Sequence, residues 1–158
     1  MPRARRSVAF ALMALAALPA TAQAPYLVPL DDESISGLME IGRLLLPQAK
    51  LPDGGAIPAE SEADRKTPLL PSADARRVVE AGQVSAAGDW CGLEWVATVR
   101  DPFMEAERKK KWSPKQIAFI GVLHDTAQGA WSAELERTGQ CGQPDKAAVQ
   151  NLINKLKR

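Results

Sequence analysis

The sequence predicts an all-α fold, a small bundle of about four to five helices that is stapled by one disulfide and preceded by a flexible N-terminal arm. Three observations predict it. Apolar residues recur at spacings of three and four in several segments that open on helix-capping residues. No segment combines strict apolar/polar alternation with hairpin turns. The chain of 158 residues has two cysteines, which allow one intramolecular pairing.

Residues 1–22 have the layout of a secretory signal peptide. Arg3, Arg5 and Arg6 precede an apolar stretch over residues 8–18, and small residues follow up to Ala22. A helix of this length rises only about 16 Å, too little to cross a bilayer, and no later segment is apolar enough to do so. We therefore expect cleavage near Ala22 and a periplasmic or secreted protein, with a twin-arginine route left open by the arginine pair.

The charge balance of the mature chain argues against nucleic acid as a partner. Three of the 20 basic residues lie in the signal segment, which leaves 17 against 19 acidic residues. Such a chain has no overall attraction to nucleic acid. Its length suits one core of moderate size and not two domains with a cleft between them.

Residues 23–71 are expected to form an arm and a linker. The segment Asp31–Leu46 has an amphipathic helical pattern with acidic residues at its start, and Pro47 ends it. Its apolar stripe needs a partner, either the main domain folding back or another molecule. Residues 47–71 contain five prolines, a glycine pair and little apolar material, which favours a mobile linker.

Residues 72–158 are expected to form the helical domain. Ser72 is the predicted N-cap of its first helix, and Ser113-Pro114 is the clearest start signal in the chain. Gly139 should stop the long helix that this pair opens, and Pro102 should restart an earlier one. The predicted helices are 73–84, 89–99, 103–111, 114–138 and 144–156.

The two cysteines, Cys91 and Cys141, are expected to form a structural disulfide, since the chain is routed to an oxidising compartment. Closing a loop of about 50 residues stabilises a fold by roughly 4 kcal/mol in the chain-entropy model. One histidine, two paired cysteines and scattered carboxylates lack the ligand spacing of a zinc or calcium site. We therefore expect no metal and no cofactor.

The single histidine, His124, lies on the predicted apolar face of the longest helix and is expected to be packed and hydrogen-bonded. A hydrolase would need a serine or a carboxylate near it in space. Neighbouring helical residues point about 100° apart, so we expect Asp125 to orient His124 poorly. A small hydrolase or ligand-binding protein centred on His124, with Glu94 or Glu105 brought near by folding, is the alternative function.

Two glycines lie inside the same helix, Gly121 and Gly129, where each costs about 1 kcal/mol relative to alanine. They predict either a close helix crossing or a shallow groove for a ligand or peptide. In the second case the groove would have Gly121 in its floor and its edges would be His124, Gln128 and Trp131.

A cluster of basic residues surrounds one tryptophan. Its lysines either complement a helix C-terminus and stay solvated, or contact anionic lipid, envelope polymer or an acidic partner, with the tryptophan at the interface. The acidic arm could also meet this cluster. The residues concerned are Arg108, Lys109, Lys110, Lys111, Trp112 and Lys115.

The arrangement of Trp90-Cys91, about 50 residues of helix, Cys141 and a lysine-rich last helix resembles the periplasmic acid-stress chaperones. The resemblance implies the Cys91–Cys141 disulfide and a dimer that exposes apolar surface to unfolding proteins. Some 65 additional mature residues before Cys91 depart from that family. We expect an exported, non-catalytic module that binds a client protein or an envelope component through the middle helices, with the arm as latch or docking element. The oligomeric state stays open.

Overall fold

The computed structural model describes residues 26–157, and the predicted signal peptide lies outside them. Within this range the chain forms six α-helices and no strand, apart from an isolated bridge between Lys50 and Ala56. Four of the helices fall within residues 72–157, so the predicted all-α bundle is confirmed. The helices are α1 (Asp32–Leu45), α2 (Glu62–Arg65), α3 (Ser72–Trp90), α4 (Asp101–Arg108), α5 (Pro114–Thr138) and α6 (Gln143–Leu156), with a 3₁₀ turn at Leu46–Gln48 and a π turn at Val96–Arg100.

Helices α3 and α5 form the centre of the molecule and cross at Gly82. A Cβ atom at this position would lie 2.7 Å from the carbonyl oxygen of His124 and 2.8 Å from the Cβ of Ala127. Only glycine allows this approach. The predicted close crossing therefore exists, but α3 supplies its glycine, because Gly129 of α5 faces open space and Gly121 meets only a methionine tip at 3.7 Å.

Helix α1 packs on the other side of α5, so the main domain covers the inward stripe of the arm. Ile35 and Leu46 are buried there, and a Cβ at Gly42 would lie 3.2 Å from the ring of Phe119. The following segment is tied back through Arg43, which donates to the carbonyl oxygens of Arg65 and Thr67 at 3.0 and 2.6 Å. The segment interpreted as a linker thus contains the 3₁₀ turn and the short helix α2.

Two helix predictions were wrong around residue 90. Helix α3 continues past Val84 to Trp90, because residues 83–88 are buried and α3 packs against α5 and α6. The predicted helix over 89–99 is replaced by a turn at Gly92, whose φ is 64°, and by the π turn. Cys91 therefore lies at the C-terminal end of α3.

Several other helix boundaries differ slightly from the predicted ones. Pro71, not Ser72, is the N-cap of α3, and α4 begins at Asp101 and ends at Arg108. The long helix α5 is confirmed, with Ser113 accepting from the backbone N–H of Gln116 and Gly139 at φ 116°. Local capping signals thus located this helix correctly.

The predicted disulfide is confirmed. The Cα atoms of Cys91 and Cys141 lie 5.1 Å apart, and the bond joins the end of α3 to the loop between α5 and α6. The indole N–H of Trp90 donates to the carbonyl oxygen of Gly139 at 2.8 Å in the same region. A covalent bond and this hydrogen bond therefore both hold this end of the bundle.

We expect Gly82→Ala to lower the free energy of unfolding by about 1–3 kcal/mol, because the added methyl group would overlap the α5 backbone. Gly129→Ala is the matched control in the partner helix. Its methyl group meets open space, so it should raise stability by up to about 1 kcal/mol through helix propensity. Urea unfolding measures both, and equal effects would contradict the close crossing.

Replacing both cysteines, by Cys91→Ser and Cys141→Ser together, should lower the free energy of unfolding by about 4 kcal/mol. The closed loop spans a sequence separation of 50, and its loss releases the unfolded chain. Urea unfolding of the wild type in reducing buffer is the control, because it should give the midpoint of the double variant. Unchanged midpoints in both would mean that the bond stabilises nothing.

Candidate functional site

The outward side of α1 carries an exposed apolar stripe, which we call the α1 outer face and define as Gly37, Ile41, Leu44 and Leu45. Ile41, Leu44 and Leu45 are 48%, 77% and 40% exposed. A Cβ at Gly37 would meet nothing within 4 Å, so this turn of the helix is also open. Helix α1 is therefore apolar on two sides, and α5 covers only one of them.

A groove of about 500 Å³ adjoins the α1 outer face. Its apolar walls come from the end of α1, the 3₁₀ turn and the segment 57–59, and its residues of this kind are Leu44, Leu46, Pro47, Ile57, Pro58 and Ala59. Glu60 closes one side, held at 3.1 Å from Arg43 and 2.9 Å from Lys115. The groove is thus an apolar trough with a fixed charged border.

A chain of hydrogen bonds connects the core to the surface on the other side of α5. The Ser85 hydroxyl lies 3.0 Å from Nε2 of His124, and Nδ1 of the same ring lies 3.0 Å from Oδ1 of Asp125. Because a carboxylate can only accept, Nδ1–H donates to it, and in the neutral ring Nε2 accepts from Ser85. The expectation that Asp125 orients His124 poorly was wrong, because Nδ1 is the ring nitrogen nearer the backbone and a short side chain reaches it.

Serine, histidine and aspartate in this order reproduce the connectivity of a hydrolytic triad. Ser85 and His124 are fully buried, however, and the ring of Phe103 stacks on His124 at a centroid distance of 6.0 Å. No substrate carbonyl can reach the serine in this packing. The prediction that His124 is packed and hydrogen-bonded is confirmed. The hydrolase alternative gains no support, because a substrate has no access to the Ser85 hydroxyl.

Asp125 ends the chain at the surface, where Arg100 donates to both of its carboxylate oxygens at 2.9 and 2.8 Å. Burial acts to raise the pKa of Asp125, but the hydrogen bonds from Arg100 and His124 outweigh it and lower this pKa to about 2. The hydrogen bond to Asp125 in turn raises the pKa of Arg100. The pair therefore stays ionised over the ordinary pH range.

The predicted groove of Gly121, His124, Gln128 and Trp131 does not form. Gly121 lines a small cavity toward α4, whereas Trp131 lines a different one beside Val28. Gln128 donates to Ser132 at 3.1 Å. The four positions lie on one side of α5, within about 80° around its axis, but α3 and α4 cover the middle of that side, where His124 contacts Ser85 and Phe103.

The basic cluster is organised around Glu107, a buried carboxylate that sequence analysis missed. Glu107 is only 1% exposed and accepts from Arg77, from Lys110 at 3.0 Å and from the indole N–H of Trp112 at 2.9 Å. Burial acts to raise the pKa of Glu107, but these donors lower it. Trp112 is thus partly buried against the core, and its indole N–H is used within the fold; its placement at a membrane or polymer interface stays a prediction.

The remaining members of the cluster divide into two groups. Lys115 pairs with Glu60, so the expected meeting of the acidic arm with the cluster is confirmed for this pair. Arg108, Lys109 and Lys111 are exposed and make no ion pair with residues 26–157. These three remain available for an anionic contact.

Over the described residues no helix has the length and hydropathy needed to cross a membrane. The same part of the chain contains no group of three or more His, Cys, Asp and Glu residues placed to hold a metal ion. Comparison with protein family models, curated proteins and solved structures found no significant match to this chain.

Asp125→Asn should lower the free energy of unfolding at neutral pH by no more than about 1 kcal/mol, because the carboxylate is 51% exposed and water screens its pair. Its pKa falls from 3.8 to about 2 on folding. The carboxylate therefore contributes stability above its unfolded pKa, and this contribution disappears as the pH falls from about 4 toward 2. The difference between variant and wild type should shrink over that window.

Urea unfolding across this pH range measures the effect. Glu136→Gln is the control, since Glu136 is an exposed carboxylate of α5 that makes no hydrogen bond with the described residues. It should change stability little at any of these pH values. A destabilisation by Asp125→Asn that stayed constant down to pH 2 would mean that the charge of Asp125 contributes nothing.

Proposed function

We propose that this protein is an exported, non-catalytic helical module that binds apolar segments of other proteins, as a chaperone does, through the α1 outer face and the adjoining groove. The observation that carries the proposal is Leu44, which is 77% exposed at the mouth of a groove of about 500 Å³. Ile41 and Leu45 flank it on the same side of the helix. An apolar cluster that continues into a groove is typical of an interaction site. The signal-peptide pattern of residues 1–22 supports export.

The binding surface that the sequence suggested is occupied. Ile120 and Leu123 on the apolar face of α5 are fully buried under α1 and α3. A partner would have to displace those helices to reach them. The α1 outer face is exposed without any rearrangement, which favours the arm itself as the docking element.

The size of the surface restricts the kind of partner. Helix α1 has 14 residues and is therefore about 21 Å long. A surface of that length accommodates one amphipathic helix or one extended segment. A folded partner would need a larger contact, because a stable complex of two folded proteins buries about 800 Å² on each side. Apolar residues occupy the centre, and Glu40 and Arg65 lie at the edge of the groove, the usual arrangement of an apolar core with a polar rim. Incompletely folded proteins expose such segments.

Leu44→Glu should abolish most of this binding, because it places a charge in the centre of the apolar surface. We expect the full mature protein to suppress the aggregation of thermally unfolding citrate synthase, measured by light scattering. The variant should need at least tenfold more protein for the same suppression, which corresponds to about 1.4 kcal/mol. Leu44 contributes little to the fold, so the variant should keep its helical content.

Leu156→Glu is the matched control, an exposed leucine (41%) at the end of α6 that becomes the same acid. It should suppress aggregation as well as the wild type. Equal suppression by all three proteins, or none by the wild type, would refute the proposal. The wild type could instead form a dimer that Leu44→Glu dissociates, while neither protein suppresses the aggregation of citrate synthase. That result would identify a second copy of the chain as the occupant and would also refute the proposal.

A further inference from the structure

A second, smaller cavity lies between the loop 49–52 and helices α4 and α5. Its volume is about 210 Å³. Three cationic side chains line it, and Asp125 is its only acid. Its floor is apolar and consists of Met104, Ile117, Ala118, Gly121 and Val122. The cavity thus combines an excess of positive charge with an apolar base, and it shares no lining residue with the groove beside the α1 outer face.

Two of the three cations have no counter-charge. Arg100 donates to both oxygens of Asp125, which neutralises this pair. Lys50 and Arg108 form no ion pair with any residue of 26–157 and lie at the same cavity. An excess of two positive charges beside an apolar floor favours an anion over a neutral ligand.

The loop that carries Lys50 is held in place. The backbone of Lys50 pairs with the backbone of Ala56. In the turn between these two residues, the N–H of Leu51 donates to the carbonyl oxygen of Gly55 and the N–H of Gly54 donates to that of Leu51, both at 2.8 Å. Lys50 is therefore presented to the cavity by a closed turn. Fixing a residue's backbone before a ligand arrives reduces the entropy lost on binding.

Gly121 opens the floor of the cavity. Glycine inside a helix costs about 1 kcal/mol relative to alanine, and at Gly82 the close packing of α3 explains that cost. At Gly121 an added Cβ would meet only the Met104 Cε atom at 3.7 Å, an ordinary contact. The packing does not require glycine here, and the missing side chain leaves the cavity floor open.

We propose that this cavity binds a small organic monocarboxylate with an apolar body, an aromatic or short alkyl acid. Lys50 and Arg108 bind the carboxylate, and the floor around Gly121 accommodates the apolar part. The volume lies below the roughly 300–1,000 Å³ of most ligand sites, which restricts the ligand to a small acid. An inorganic phosphate would match the charge but would leave the apolar floor without contact.

Sodium benzoate is the probe, titrated into the full mature protein and followed by backbone amide NMR shifts. Saturable binding is expected, with the shifts concentrated in residues 49–52, α4 and the first half of α5. Arg108→Ala and Lys50→Ala should each weaken it about tenfold, since a charge-assisted hydrogen bond contributes roughly 1.5–3 kcal/mol. Gly121→Val should abolish binding by filling the floor.

Each variant has a matched control. Lys109→Ala removes a neighbouring cation that does not line the cavity, and Gly129→Val adds the same side chain to α5 where it meets open space. Both should bind benzoate like the wild type. Benzyl alcohol has the same ring but no charge, so it should not bind at the concentrations at which benzoate saturates the cavity.

Three results would overturn the proposal. The first is the absence of saturable benzoate shifts in the wild type. The second is phosphate binding as tightly as benzoate with no effect of Gly121→Val, which would indicate only a charged surface. The third is equal weakening by Lys109→Ala and Arg108→Ala.

Lys50→Ala changes an exposed loop residue, so its result holds even if Gly121→Val fails to fold. None of these readouts depends on client binding.

Discussion

The close packing of α3 on α5 is the constraint on which the rest of the structure depends. At Gly82 the two backbones approach so closely that no side chain fits between them. Ser85 lies one turn further along α3 and is therefore buried directly against α5. A hydroxyl in that position must find a partner, because an unpaired buried polar group costs free energy. His124 supplies the partner, and Asp125 and Arg100 extend the chain of hydrogen bonds to solvent.

The same contact determines which surfaces remain for binding. With α3 on one side of α5 and α1 on another, the apolar residues of α5 are used within the fold. Among the described residues, three of the six exposed large apolar side chains consequently lie on the far side of α1, and Leu44 is the most exposed of them. The small cavity between α4 and α5 exists for a related reason, since Gly121 lies where no helix packs closely. Both candidate sites are therefore at the edge of the bundle.

Features that have local signals could be predicted from the sequence. Ser113 and Gly139 marked both ends of α5, and a chain with two cysteines allows one intramolecular disulfide. Features that depend on contacts between distant segments could not be predicted. Nothing near Ser85 indicates His124, which lies 39 residues away, and nothing near Val84 shows that burial extends α3 to Trp90. Glu107 looked like one more charge of a solvated helix, although three side chains donate hydrogen bonds to it.

Net charge was a poor guide to surface charge for the same reason. Residues 23–158 have 17 basic and 19 acidic side chains and are close to neutral, yet some acids pair with two cations while other cations pair with none. Glu107 forms ion pairs with Arg77 and Lys110, and Glu60 forms ion pairs with Arg43 and Lys115. These pairings involve cations of the arm, of α3, of the segment after α4 and of the start of α5, and they leave Lys50, Arg108, Lys109 and Lys111 without an ion pair to residues 26–157. The positive surface follows from where two poorly exposed carboxylates lie, so it can be read only from the folded chain.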